Sequence, residues 1–262
     1  MRSRILILAL PGLLLATAVA AQEGWSGLEE PIVADRPDFT EGTGLIPRGH
    51  VQVEGGTTLT RVEDEDTTTF GELLVRIGMG ERWEGRIGVP SYNRIDALQQ
   101  EISGFDDPSL GMKFRFTDPA GDLAPGQPAA ALVLETSIPV GDEELTEDEW
   151  VPAAILALDW DLGELFSLGA NVGYSYVTDE EEQFHQLLAS VTGGFSITDR
   201  LGTYLEWYGL SEETVDGPTT HYVDGGVSFL INDDLVVDAR VGTGLNDADP
   251  DWYVGVGGSV RF

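Results

Sequence analysis

The chain has 262 residues, with 46 Asp and Glu against 14 Lys and Arg, a formal net charge of -32, no Cys and 33 Gly. That acidity excludes a nucleic-acid binder, which neutralises phosphates with Lys and Arg, whereas the one Lys here is Lys113. The lack of Cys excludes a disulfide scaffold, thiol catalysis and Cys-ligated zinc, and so much glycine at ordinary hydrophobicity speaks against both disorder and a helical bundle.

Arg2 and Arg4 precede an apolar run from Ile5 to Val19, interrupted by Pro11, Gly12 and Thr17, and the small residues Ala18-Val19-Ala20-Ala21 close it. These are the charged, apolar and cleavable parts of a secretory signal peptide, residues 1–21. The run falls short of the ~20 residues of a spanning helix, and no Cys follows that a lipid could modify. Residues 22–48 are rich in Gly, Pro and Glu and show no alternation. Taken with the strands that follow, they form a leader that either hangs in the periplasm or folds into the barrel mouth as a plug. Arg36, between Asp35 and Asp38, can pair with either or with a lumen charge.

Residues 49–262 carry a period of two. Its clearest instance is the last segment, where Trp252, Val254, Val256, Gly258, Val260 and Phe262 alternate with Tyr253, Gly255, Gly257, Ser259 and Arg261. An apolar stripe ending in aromatics opposite a small, polar face is the pattern of a membrane strand. Leu110, Met112, Phe114 and Phe116 likewise alternate with Lys113 and Arg115, a spacing that no helix with its 3.6-residue period produces. The pattern predicts twelve strands, roughly 49–62, 67–79, 83–95, 107–117, 128–140, 150–160, 165–177, 184–197, 201–210, 219–231, 235–244 and 251–262. Twelve is even, as a bacterial single-chain barrel requires.

The connections alternate in character. Gly80-Glu81-Arg82, residues 161–164, Thr198-Asp199-Arg200 and Asn232-Asp233-Asp234 are tight turns, with residues 118–127 a longer exception. Between them fall longer acidic stretches at 63–66, 96–107, 142–149, 179–182, 211–218 and 245–250. Short periplasmic turns opposite longer outer loops put both termini in the periplasm. The acid in the outer loops either solvates them or binds divalent cations, for which carboxylates are suitable ligands.

Parity assigns inward-facing side chains. They are Glu54, Glu72, Arg76, Glu84, Arg86, Lys113, Arg115, Glu135, Asn171, Gln186, Tyr204, Glu206, Tyr208, Tyr222, Asp224, Asp238, Arg240 and Arg261. The basic groups gather on strands two to four and the carboxylates on strands nine and ten. Either these charges pair and close the lumen, since unpaired buried ions are costly, or they stay hydrated and line a pore. Twelve strands lie between the filled eight-stranded and the open sixteen-stranded barrel. For catalysis there are three His: His50 before the first strand, and His185 and His221 on the apolar face near outer strand ends. Ser190 and Ser228 face the other way, and neither a nucleophile elbow nor a zinc-binding helix motif is present. No catalytic, cofactor or metal site is expected.

The stretch Asp35-Arg36-Pro37-Asp38-Phe39-Thr40-Glu41 stands just before the first strand. Near the end come Gly244-Leu245-Asn246-Asp247, Asp251-Trp252-Tyr253 and Val260-Arg261-Phe262. With these the mature chain resembles the transporter-like outer-membrane proteins of the putative MetA-pathway of phenol degradation family. The resemblance implies an outer-membrane location and passage of small molecules, aromatic or apolar ones among them. It also implies that Asp35, Arg36, Pro37, Asp38 and Phe39 are the family motif and that Phe262 is the C-terminal aromatic read by the assembly machinery.

The expectation is therefore an all-β protein, an antiparallel transmembrane β-barrel of about twelve strands over residues 49–262, in the outer membrane of a Gram-negative bacterium. It would pass small molecules down their gradient. Its partners would be the outer-membrane lipids, the barrel assembly machinery in transit, and a solute that the sequence does not name. The competing readings are a closed structural barrel without transport and a secreted β-sandwich.

Overall fold

Alternation of apolar and polar residues builds every wall element. The computed structural model describes residues 26, 28, 30–97, 100–117, 123–124, 126–146, 148–179, 182–215, 217–246 and 250–262. The expected signal peptide, residues 1–21, lies outside them.

Fourteen strand runs follow in chain order: β1 (Val51–Val62), β2 (Glu65–Gly78), β3 (Trp83–Val89), β4 (Tyr92–Ala97), β5 (Gln100–Phe105), β6 (Ser109–Arg115), β7 (Ala129–Ser137), β8 (Pro152–Asp161), β9 (Phe166–Asp179), β10 (Glu182–Ser196), β11 (Leu201–Leu210), β12 (Thr220–Asn232), β13 (Leu235–Gly244) and β14 (Trp252–Arg261). β2 pairs with β3 through Leu73↔Val89 and with β4 through Phe70↔Tyr92, so β3 and β4 are two halves of one stave. β5 and β6 form another, paired with β4 and β3 in turn. Twelve antiparallel staves result, and the pairing of β1 with both β14 and β2 closes them into a barrel. Phe262 completes the closure through reciprocal backbone hydrogen bonds with Val51.

The outer-loop assignment of residues 96–107 needs correction: strand runs to Ala97 and resumes at Gln100. Residues such as Arg94, Asp96 and Glu101 are polar beyond the membrane-facing band, so no apolar stripe marks this part of the hairpin. Arg94 instead pairs with Asp96 and Glu101 in water. Both staves break near Pro90 and Pro108, which donate no ladder hydrogen bond. Carboxylates repair the break. Asp106 Oδ1 accepts from the Ser91 N–H at 2.5 Å, and Asp107 Oδ1 from those of Val140 and Gly141 at 2.9 and 2.7 Å.

The two faces of the wall are inverted relative to a soluble domain. Outward-facing Leu205 and Val241 are 63% and 60% exposed, whereas inward-facing Lys113 and Glu206 are 0% and 1% exposed. Two aromatic belts flank the apolar band. At the short-turn end Trp83 meets Phe114 and Phe166 meets Phe195; at the other end Tyr92 meets Phe70 and Phe105, and Trp207 stacks on His221. An apolar outer band between aromatic belts is what a barrel presents to lipid.

Candidate functional site

The lumen is occupied by the chain's own leader. Residues 32–47 enter at the short-turn end, reach the middle of the barrel and return to the same end. The entry is tied by the Ile32 N–H to the Asp233 carbonyl at 2.7 Å, and the exit by the Gly49 N–H to that of Gly78 at 2.9 Å. Just outside, Ser26 donates through N–H and hydroxyl to Asp234, at 2.8 and 2.5 Å. Arg261 joins this clamp, donating to Asp234 and to the Glu30 carbonyl.

One wall holds the segment's side chains by charge. Asp35 receives Arg86 Nη1 at 2.6 Å, Lys113 Nζ at 2.9 Å and Arg76 Nη1 at 3.1 Å. Glu41 receives Arg86 Nη2 at 2.6 Å and Lys113 Nζ at 3.1 Å. Arg76 is in turn held by Glu54 and Glu84, at 2.9 and 2.7 Å. All three cations are thus matched by carboxylates, as buried ions must be.

Wall carboxylates also grip the segment's backbone. Glu54 accepts from the N–H groups of Asp35 and Arg36, Glu206 from those of Phe39 and Thr40, Asp159 from that of Thr43 and Glu84 from that of Ile46. Asn171 makes a reciprocal pair with the Glu41 backbone, at 2.7 and 2.9 Å. These contacts satisfy N–H groups of a stretch with no strand partner, which would otherwise be costly to bury.

Arg36 pairs with neither neighbouring Asp. Its guanidinium reaches Glu72 at 3.1 Å and Asp238 at 3.2 Å. It can lie against the wall because Gly56 and Gly257 face each other there, and a Cβ at either would stand 2.4 Å from Nη2. The Arg36–Pro37 peptide is cis, and the Pro37 carbonyl accepts from Arg240 at 3.1 Å. Phe39 stacks on Tyr208 at 4.1 Å.

Of the positions that parity turns inward, Glu54, Glu72, Arg76, Glu84, Arg86, Lys113, Asn171, Tyr208, Glu206, Asp238 and Arg240 meet the inserted segment or the residues that hold it. Tyr204, Tyr222 and Asp224 lie beside its tip on β11 and β12. Arg115 and Arg261 sit at the short-turn rim, Arg115 donating to Thr117. Gln186 donates to the Glu212 carbonyl near the long loops, and Glu135 lies half-buried on β7. Gln52 and Asp159 hold the segment too; Gln52 shares parity with Glu54, the signal that points to it. Among the described residues, no three His, Asp or Glu side chains are placed to hold a metal ion.

The sequence profile of the family described as putative MetA-pathway of phenol degradation matches residues 34–262, and the chain belongs to that family. No curated protein matches it in sequence. Its fold is similar to the crystal structure of an outer membrane channel from Pseudomonas putida F1, at 12% identity and TM-score 0.64, covering 87% of this chain and 100% of that one. It is also similar to the KdgM porin, at 8% identity and TM-score 0.54, covering 80% and 99% of the two chains.

Proposed function

We propose that this member of the putative MetA-pathway of phenol degradation family is an outer-membrane channel for small molecules, and that residues 32–47 are its plug. In this reading residues 1–21 direct secretion and are removed. The short-turn end and both termini face the periplasm, and the long acidic loops face outward.

One observation carries the proposal. The segment that fills the lumen is held by polar and ionic contacts, with Asp35 bound to Arg76, Arg86 and Lys113. An apolar core would serve a purely structural barrel equally well, and buried ion pairs are often no more stabilising than such a core. A polar plug exchanges its partners for water when it leaves, so its release exposes a hydrated passage without baring apolar surface. Solutes would then diffuse down their gradient, with no cofactor involved. Aromatic solutes fit the tyrosines of β11, β12 and β14.

The test is solute flux into liposomes carrying the folded chain or a form lacking residues 22–48, with heat-modifiable migration as evidence of folding. Flux that is low in the full chain and high in the shortened form is expected. The lumen's closure at mid-height also favours a second reading, a structural barrel without transport; absence of flux in both forms would establish it against the channel.

A further inference from the structure

The wall opposite the three cations is aromatic and acidic. Tyr204, Tyr208, Tyr222 and Tyr253 lie on the inner faces of β11, β12 and β14. Two of them rest on glycines: a Cβ at Gly242 would stand 2.2 Å from the Tyr253 ring, and one at Gly226 2.6 Å from that of Tyr204. Tyr208 stacks on Tyr222 at 4.6 Å and 12°, and Phe39 continues the stack at 4.1 Å and 16°.

Three carboxylates sit among these rings. Glu206 is taken up by the backbone of Phe39 and Thr40. Asp224 is 3% exposed; its Oδ2 accepts from the Tyr253 hydroxyl at 2.9 Å, while its Oδ1 is buried without a hydrogen-bond partner. Asp38 has Glu206 and Asp224 as charged neighbours. The cation nearest them, Arg240, is spread over the Pro37 carbonyl, Thr58, Glu72 and the face of Tyr253, 5.7 Å from the ring centre. Carboxyl groups therefore outnumber cations on this wall. Asp38, Phe39, Tyr204 and Tyr208 are only half-buried, so a solute in the lumen can touch them.

We propose that this wall is a recognition site for organic cations, an ammonium group carried on an aromatic or apolar body. Tyrosine faces attract a cation and stack on a ring, and Asp38 and Asp224 supply the countercharge. A bare metal ion needs several oxygens converging on one point, and among the described residues no such group is formed. The acidic outer loops raise the local concentration of any cation at that mouth. The proposal deepens the channel reading and rests on it for its meaning in transport, but the site itself is testable without flux.

The test is equilibrium binding of three probes of one ring size to the folded chain in detergent: phenyltrimethylammonium, benzyl alcohol and benzenesulfonate. The cation should bind about tenfold more tightly than the alcohol, the sulfonate most weakly, and the cation's advantage should shrink with added salt. Asp38→Asn and Asp224→Asn should each reduce that advantage several-fold and leave the alcohol's affinity unchanged. Equal binding of the three probes, no binding of any, or an advantage that survives both substitutions would overturn the site. Should the variants lose heat-modifiable migration, the probe ranking and its salt dependence in the unaltered chain decide. Binding without liposome flux removes the channel and keeps the site; flux without cation binding does the reverse.

Discussion

Asp35 is the residue on which the docked segment depends most, because three buried cations converge on its carboxylate. Removing one partner of a buried ion pair leaves charge uncompensated, so Asp35→Asn should weaken docking by about 3–5 kcal/mol. The expected readout is faster solute entry into liposomes at unchanged heat-modifiable migration. Asp234, in the turn before β13, offers a pH handle. Burial alone would raise its pKa, but the hydrogen bonds from Ser26 and Arg261 outweigh that and hold it below the usual carboxylate value. A lowered folded-state pKa means that the clamp's contribution is complete above the unfolded-state pKa of about 4 and is lost as pH falls through the folded-state value. The unfolding midpoints of the native chain and of Asp234→Asn should therefore differ at pH 6 and begin to converge once the pH falls below about 4.

At the scale of the strand, the wall is held by its lipid-facing stripe and by the ladder. Val241 is 60% exposed on the outer face of β13. Val241→Lys should destabilise folding into bilayers by about 2–4 kcal/mol, measured by urea titration in liposomes. The same lysine at a loop position should cost almost nothing. Where β3 gives way to β4, the ladder is replaced by the Asp106 carboxylate accepting from Ser91. Asp106→Ala leaves that N–H without its partner, at a cost of about 1–3 kcal/mol, and amide exchange at Ser91 should accelerate accordingly. The break was not legible in the apolar pattern, which merely stops near residue 95. Pro90 and Pro108 were the available signs, and they mark an interruption without showing that strand continues beyond it.

For the molecule as a whole, Lys113 is a natural reporter, since it is the one lysine of the chain and is fully buried beneath the segment. Its amine should resist a small acylating reagent in the intact barrel and react readily once residues 22–48 are deleted, as read by peptide mass. Equal reactivity in both forms would mean that the segment does not shield the lumen.

The sequence by itself determined the wall. A strand alternates its faces whatever its neighbours, so a period of two is enough to identify the staves, their lipid-facing stripes and the side chains that share the inner face. It also marked the Asp35–Phe39 stretch as unlike the strands, though as an irregular leader without a location. Only the tertiary structure decided where that leader goes and what the inner charges do. Arg36 meets Asp238, 202 residues away, and Thr40 meets Glu206, 166 residues away. Contacts of that separation leave no periodic trace, because they arise from closing the sheet on itself and filling its interior, and that closure sets which charges come to face one another.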